Sequence, residues 1–360
     1  MPIIKLSEIK MTTNQHENWL DLILPLQGRL TKSVVSIVES LLHENGIDYL
    51  TVVGRTKGKT SALEKIKRKQ YSDPVQKLTD LSGIRIVLYF ESDVEKVRDL
   101  IAAAFEVDFE NSLDKDSLLS TNQVGYRSVH YVCGLGPKRA EIDEYKSFSK
   151  LKFEFQVRTV LQHAWAELAH DRKYKFSETL PPELERQLYL YAGLLEIADK
   201  GFDETAKAID AYSRNMKDRT NHGDLSFGVD SLSLAAYFNH WVEKNGFLLV
   251  DSNWKYELSE LVRELHEFGI RKISDLVEII PSDYAEIAKD LNNEGTIYGV
   301  VRDWMLIKDW RRYRREVKFN WNMSDAEIIE RLIPPTDIIE FRRAFEWVDD
   351  DEDSYFEDEN

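Results

Sequence analysis

An α/β domain followed by an all-helical region is the architecture this sequence predicts, on three observations. Strand-like and helix-like patterns alternate through the first half of the chain, as they do in packed α/β layers. From Ser231 onward the pattern is helical throughout, broken at Asn245-Gly246, Gly269, Pro281, Asn292 to Gly295 and Pro334-Pro335. At 360 residues the chain is also too long for one ordinary domain. Hydrophobic residues make up 42% of it, enough for real cores, yet no apolar run approaches the roughly 18 residues of a membrane helix.

Charge and cysteine usage narrow the function classes. A net charge of -16 argues against a general nucleic-acid coat while leaving room for local basic sites. Cys133 is the single cysteine, so neither a disulfide framework nor a cysteine-rich metal site is expected. The start MPIIKLSEIK lacks the basic, apolar and small-residue parts of a secretory signal, and a cytoplasmic, membrane-free protein is the expectation.

In chain order, apolar positions at helical spacing run from residue 17 to 43, interrupted by Pro25, which predicts one long or two short helices ending at Asn45-Gly46. YLTVVG at 49 to 54 reads as a buried strand. The following GRTKGKTSALEKIKRK carries seven Lys and Arg from Arg55 to Lys69 against the single acid Glu64. A strand, a glycine-containing basic loop and a helix suggest a phosphate site, because backbone amides and a helix N-terminus favour anions. The spacing between Gly54 and Gly58 is one residue short of a Walker A loop, so a P-loop NTPase is rejected. A solvated basic helix explains the same residues equally well.

Residues 75 to 105 give a loop with Asp80 and Gly83, the strand Ile84 to Phe90, and a helix for which Ser92 and Glu95 suggest a capping box. The polar stretch 111 to 123 reads as a loop leading to GYRSVH at 125 to 130. In LKFEFQVRTVLQHAWAELAHDRKYK, from Leu151, Phe153, Phe155 and Val157 alternate with Glu154, Gln156 and Arg158 in the period of a strand. After Thr159, a candidate cap, the period turns helical: Leu161, Trp165 and Leu168 fall on one face and His163, Glu167 and His170 on the other. Pro181-Pro182 opens a long helix with the apolar row Leu184, Leu188, Tyr191, Leu195, Ala198 and Phe202, expected to lie against the first domain.

Four motifs then stand in order: RTKxxxSxxxKxxR from Arg55, DLSGIR at 80 to 85, GYRSVH at 125 to 130, and FEFQVRTxxQHAWAELAHDxxYK from Phe153. Together they resemble the synthetase domain of the RelA/SpoT alarmone family over about residues 20 to 215. The resemblance implies a nucleotidyltransferase-like mixed β-sheet flanked by helices, and pyrophosphate transfer from ATP to a ribose 3′-hydroxyl of GTP or GDP, giving (p)ppGpp and AMP. By the same analogy Asp80 and Glu154 hold Mg²⁺ as the cofactor, and Glu154 also takes the proton of the attacking hydroxyl. Arg55, Lys57, Ser61, Lys65, Arg68 and Arg85 match ATP-binding positions. Tyr126 matches the tyrosine that stacks on the acceptor base, and His130, Gln156 and His170 match other acceptor positions. A structural hydrogen-bonding role for the histidines stays open. His170-Asp171 also resembles the dipeptide of metal phosphohydrolases, but no partner constellation completes it, and a hydrolase half like that of the long family enzymes is not expected.

One departure bears on the acceptor. Small synthetases of this family carry a lysine-bearing segment before the tyrosine, whereas SLLSTNQVGY has no base after Lys115. Toxic relatives that modify the 3′ end of tRNA are therefore the second reading, and a regulated sensor with conditional or lost catalysis a third. The expected domains are 1–225 (pyrophosphokinase), 226–345 (helical, regulatory or interacting, with a protein partner and self-association left open) and an acidic tail, 346–360, expected to be disordered because nine of its fifteen residues are acids. WRRYRR at 310 to 315 reads first as an ordinary helix surface and second as an RNA contact.

Overall fold

Leu30, Val34, Val38 and Leu42 recur at helical spacing and are all buried, and this apolar stripe holds helix α1, Thr13–Glu44, against a sheet, while Leu20 packs in a smaller cluster with Ala62, Ile66, Leu78 and Leu81. The computed structural model describes residues 13–71, 73–114, 129–175, 181–250, 258–323 and 326–345. Within α1, Pro25 sits inside one continuous helix rather than dividing two. The chain forms two compact units, 1–206 and 207–360.

In the first unit the order continues β1 (Tyr49–Thr56), α2 (Lys59–Lys69), α3 (Pro74–Lys77), β2 (Ser82–Leu88), α4 (Glu91–Ala104), β3 (Glu106–Val107), β4 (Leu113–Asp114), β5 (Val129–Gly134), α5 (Pro137–Ala140), β6 (Phe153–Thr159), α6 (Val160–Lys175) and α7 (Pro182–Asn221), the last running past the division. The sheet is mixed, in the order β1-β2-β6-β5-β3, with β4 also pairing β5. Among the described strands of this sheet only β2 and β6 pair in parallel, with Gly83 opposite Glu154 and Arg85 opposite Gln156. This is the α/β fold with a helical second region that the sequence predicts. Phe153, Phe155 and Val157 are fully buried on β6, as their alternation requires.

Several local expectations change. β1 is an edge strand with Leu50 and Val53 exposed, not a buried one. Gly54 serves packing: a Cβ there would stand 2.5 Å from Thr31 Cγ2 and 2.8 Å from Val35 Cγ2, so its absence lets β1 lie on α1. The helix after β2 has Phe90, not Ser92, at its N-cap, and the Ser92 amide instead donates to Asp203 on α7. Thr159 does cap α6: its Oγ1 accepts from the Gln162 amide, and Gln162 Oε1 accepts from the Thr159 amide, a reciprocal capping box. The same hydroxyl donates to buried Asp199 on α7 at 2.6 Å. On the part of α7 that lies in the first unit the buried positions are Ala192, Asp199 and Asp203, while Leu184, Tyr191 and Phe202 of the predicted apolar row are exposed. Leu168 on α6 is exposed as well.

The second unit adds α8 (Ser231–Asn245), α9 (Leu258–Glu267), α10 (Ile273–Val277), α11 (Tyr284–Asp290), α12 (Ile297–Glu316), α13 (Glu327–Leu332) and α14 (Ile338–Ala344). Asp230 and Ser233 form a capping box that starts α8, and Gly246, at φ +59°, ends it. Its core is aromatic, with Trp241 and Trp304 edge to face at 4.9 Å between centroids. Buried Glu264 accepts two hydrogen bonds from Arg302, each 2.8 Å, and one from Tyr313. α12 is kinked at Asp309, whose carboxylate accepts from the Arg312 amide and starts the second segment. In WRRYRR each arginine is engaged within the unit: Arg311 with Asp337 and Glu340, Arg312 and Arg315 with Glu316, and Arg314 with the Ala344 carbonyl. That is the ordinary helix surface, with guanidinium groups laid over Trp310, Phe268 and Phe319.

Candidate active site

The parallel pairing of β2 and β6 sets the floor of a cleft in the first unit. Asp80 lies in the turn that enters β2, and Glu154 projects from β6 beside Gly83. β1 runs antiparallel on the far side of β2, with Arg55 opposite Gly83, and carries Arg55 to the rim. A buried polar network fixes these strand ends to α1: Ser82 Oγ donates to Gln27 Oε1 at 2.5 Å and accepts from Thr31 Oγ1 at 2.9 Å, while Thr31 reaches Thr56 Oγ1 at 3.1 Å. The cleft has a volume of about 310 Å³ and is lined by Arg55, Lys57, Ser61, Asp80, Arg85, Glu154, Gln156 and Glu167, among others.

Two ammonium groups meet one carboxylate oxygen at its centre. Lys57 Nζ lies 2.8 Å and Lys65 Nζ 2.6 Å from Asp80 Oδ2. The other oxygen, Oδ1, is buried and has no hydrogen-bond partner among the described residues. Burial works to raise the Asp80 pKa, and the two lysines more than offset it, holding the carboxyl below its ordinary range. Glu154 is held similarly: burial pushes it up, and the bonds from His130 and Gln156 bring it below the ordinary value. His130 Nδ1 stands 2.6 Å from Glu154 Oε1, and Gln156 Nε2 donates to the same oxygen at 3.1 Å.

A second polar group borders the first. Arg85 donates to Glu167 on α6 at 2.8 Å, and His163 Nδ1 lies 3.8 Å from the same carboxylate. Arg158 donates to Gln156 Oε1, and the Nε atoms of both Arg85 and Arg158 are buried without a partner among the described residues. Burial first, and then the Arg85 charge, lower the His163 pKa.

Most of the residues singled out from sequence thus converge. Lys65 reaches the cleft through Asp80, and His130 does so through Glu154. Arg68 is exposed on α2 and is not among the cleft's lining residues. Tyr126 and the side chain of His170 lie outside the described residues. Glu167 is the lining residue that sequence reasoning left without a role. Its position on the same helix face as His163 was the available signal.

Carboxylates, lysines and arginines thus gather around one cleft on a mixed sheet, an arrangement suited to holding a polyphosphate with a divalent cation. Residues 54–179 match the model of the region found in RelA/SpoT proteins. It is similar to the GTP pyrophosphokinase YjbM of Bacillus subtilis, 29% identical over 191 residues, covering 52% of this chain and 86% of that protein. It is also similar to the GTP pyrophosphokinase YwaC of the same organism, 26% identical over 183 residues, covering 49% and 83%. Among solved structures, the small alarmone synthetase 1 from Bacillus subtilis aligns with a TM-score of 0.45 at 24% identity, over 54% of this chain and 99% of the other.

Proposed function

We propose that the first unit transfers the β,γ-pyrophosphate of ATP to the 3′-hydroxyl of GTP or GDP, forming an alarmone of the (p)ppGpp type and releasing AMP. The observation that carries this reading is the meeting of Asp80 with Lys57 and Lys65 in one cleft that also holds Glu154. Both relatives are named GTP pyrophosphokinases, which supports a guanosine acceptor.

The residues present fit a Mg²⁺ ion. Asp80 offers a buried carboxylate oxygen with no partner among the described residues, and Glu154 lines the same cleft. Among the described residues no cluster of three or more His, Cys, Asp or Glu could form a protein-only metal cage. Two carboxylates completed by substrate phosphates and water are what Mg²⁺ commonly accepts. Bound there, the ion would neutralise charge that develops on the phosphates. Lys57 and Lys65 are close enough to exchange Asp80 for a polyphosphate, and Arg55 and Arg85 add guanidinium donors at the rim. Glu154, ionised because its pKa is held low, accepts the proton of the 3′-hydroxyl. His130 and Gln156, both bonded to Glu154 Oε1, fix its direction. The 3′-oxygen bonds to the β-phosphorus as the bond from that phosphorus to the α,β-bridging oxygen breaks, and AMP departs.

A second acceptor, the 3′ end of tRNA, is favoured by one observation: no Lys or Arg lies between Lys115 and Tyr126. Incubating the full chain with ATP labelled at the γ-phosphate and offering GDP, GTP or bulk tRNA distinguishes the two. Label in guanosine nucleotide supports the first reading, label in tRNA the second, and label in neither contradicts both. The helical second unit is read as a regulatory or interaction domain. Comparing residues 1–225 with the full chain for transfer rate tests it, and equal rates with and without candidate partners count against it.

A further inference from the structure

We propose that the second unit holds a binding site of its own for a small organic anion with a flat apolar body, seated between α8, the loop that follows α7, and the α10–α11 connection. The cavity there measures about 390 Å³, and every residue lining it belongs to the second unit, so it is separate from the transferase cleft. That volume lies within the range of ordinary small-ligand sites.

The lining divides by chemistry. Val277, Ile280, Pro281 and Ala285 supply an apolar wall opposite the α8 face that carries Tyr237, Trp241 and Lys244. Tyr237 and Trp241 are each only 7% exposed. Even so, neither the phenol nor the indole N–H has a hydrogen-bond partner among the described residues. Burial with no compensating bond pushes the Tyr237 phenol up to about 12, so it is a neutral O–H donor at physiological pH. The Trp304 nitrogen is fully buried without a partner among the described residues; the Trp241 nitrogen is not among the fully buried ones.

Lys244 stands one helical turn beyond Trp241 on the same face and makes no ion pair among the described residues, although acids are abundant in the chain. His240 is turned the other way in its bonding, with Nδ1 3.0 Å from Asn221 Oδ1. Three donors, one of them charged, therefore converge beside an apolar wall. Donors that open on a cavity in this way can exchange water for an acceptor-rich ligand group. A carboxylate or phosphate monoester beside Lys244, with its ring against Ile280 and Ala285, meets both halves of the lining.

The test titrates the full chain by calorimetry with 2-naphthoate and with its neutral counterpart 2-naphthalenemethanol. Naphthoate is expected to bind about 10-fold or more tighter than the alcohol, the gain a charge-assisted hydrogen bond gives. Lys244→Met, at an exposed position, should remove that preference and leave alcohol binding unchanged. Ala285→Leu and Ser282→Leu, which fill the cavity from the wall and from the rim, should weaken both probes, with melting curves reporting that each variant is folded. Absence of naphthoate binding to the unaltered chain overturns the proposal. So does an acid preference that survives Lys244→Met, or binding that survives both filling variants.

Discussion

Lys65 places its ammonium 2.6 Å from the Asp80 carboxylate across fifteen residues of sequence, and Lys57 shares the same oxygen. Removing the carboxylate leaves two ammonium groups facing each other with no counter-ion. Asp80→Asn and Glu154→Gln are each expected to lower pyrophosphate transfer by about 100-fold or more, the scale of losing a charge-stabilising or proton-accepting group. Circular dichroism of both variants should match the unaltered chain. Full activity in either one contradicts the assignment.

Gly54→Ala tests how the rim is held. The added methyl meets Thr31 and Val35 well inside contact distance, and overpacking of this kind costs about 1–3 kcal/mol. Because β1 must shift to relieve it, and β1 carries Arg55 at the cleft, the variant should show a lower Tm together with a raised KM for ATP. A lower Tm with an unchanged KM would place the rim's order elsewhere.

Asp199 supplies a pH signature. Its burial, with Glu91 and Asp203 nearby, raises its pKa, and the Thr159 bond only partly opposes this. A carboxyl whose folded pKa is raised folds best protonated. It costs nothing at pH values below its unfolded value of 3.8, and the penalty grows as pH rises through the folded value. Asp199→Asn keeps an acceptor for Thr159 and should therefore raise Tm at pH 7, with the difference vanishing toward pH 3. A gain that persists undiminished at pH 3 would refute the electrostatic cause.

In the second unit Glu264 is 1% exposed and takes both bonds of Arg302. Breaking a buried pair on one side costs about 3–5 kcal/mol. Arg302→Met should destabilise this unit by that amount in denaturant unfolding, whereas Arg315→Met, on the surface beside Glu316, should change little.

How much was legible beforehand follows from where the information sits. The strand 153–159 was plain, because burial on one face alone writes a period of two into the sequence. The places of Asp80, Glu154, Arg55, Lys57 and Lys65 at the cleft were legible through motif order, whereas that of Arg68 was not. The burial of β1 was misjudged because Leu50, Val52 and Val53 look like a core strand, and only sheet order reveals an edge. The face of α7 was misjudged for a related reason: two buried aspartates, Asp199 and Asp203, dock it through hydrogen bonds to Thr159 and Ser92, so the hydrophobic pattern pointed away from the true contact. Glu167 and the pairing of Lys57 and Lys65 with Asp80 depend on side-chain directions across separate elements, which spacing does not encode.

The parallel register of β2 and β6 has a consequence for how activity arises during folding. Asp80 and Glu154 are distant in sequence and meet only when these two central strands pair, with α4 and β3 to β5 intervening in the chain. A slip of one residue would turn Glu154 to the opposite face. Long-range pairing of this kind is slow to form, and no fragment that ends before β6 contains the second carboxylate. The two carboxylates therefore share one cleft only once β2 and β6 have paired, and recovery of transfer after denaturation is expected to report that pairing.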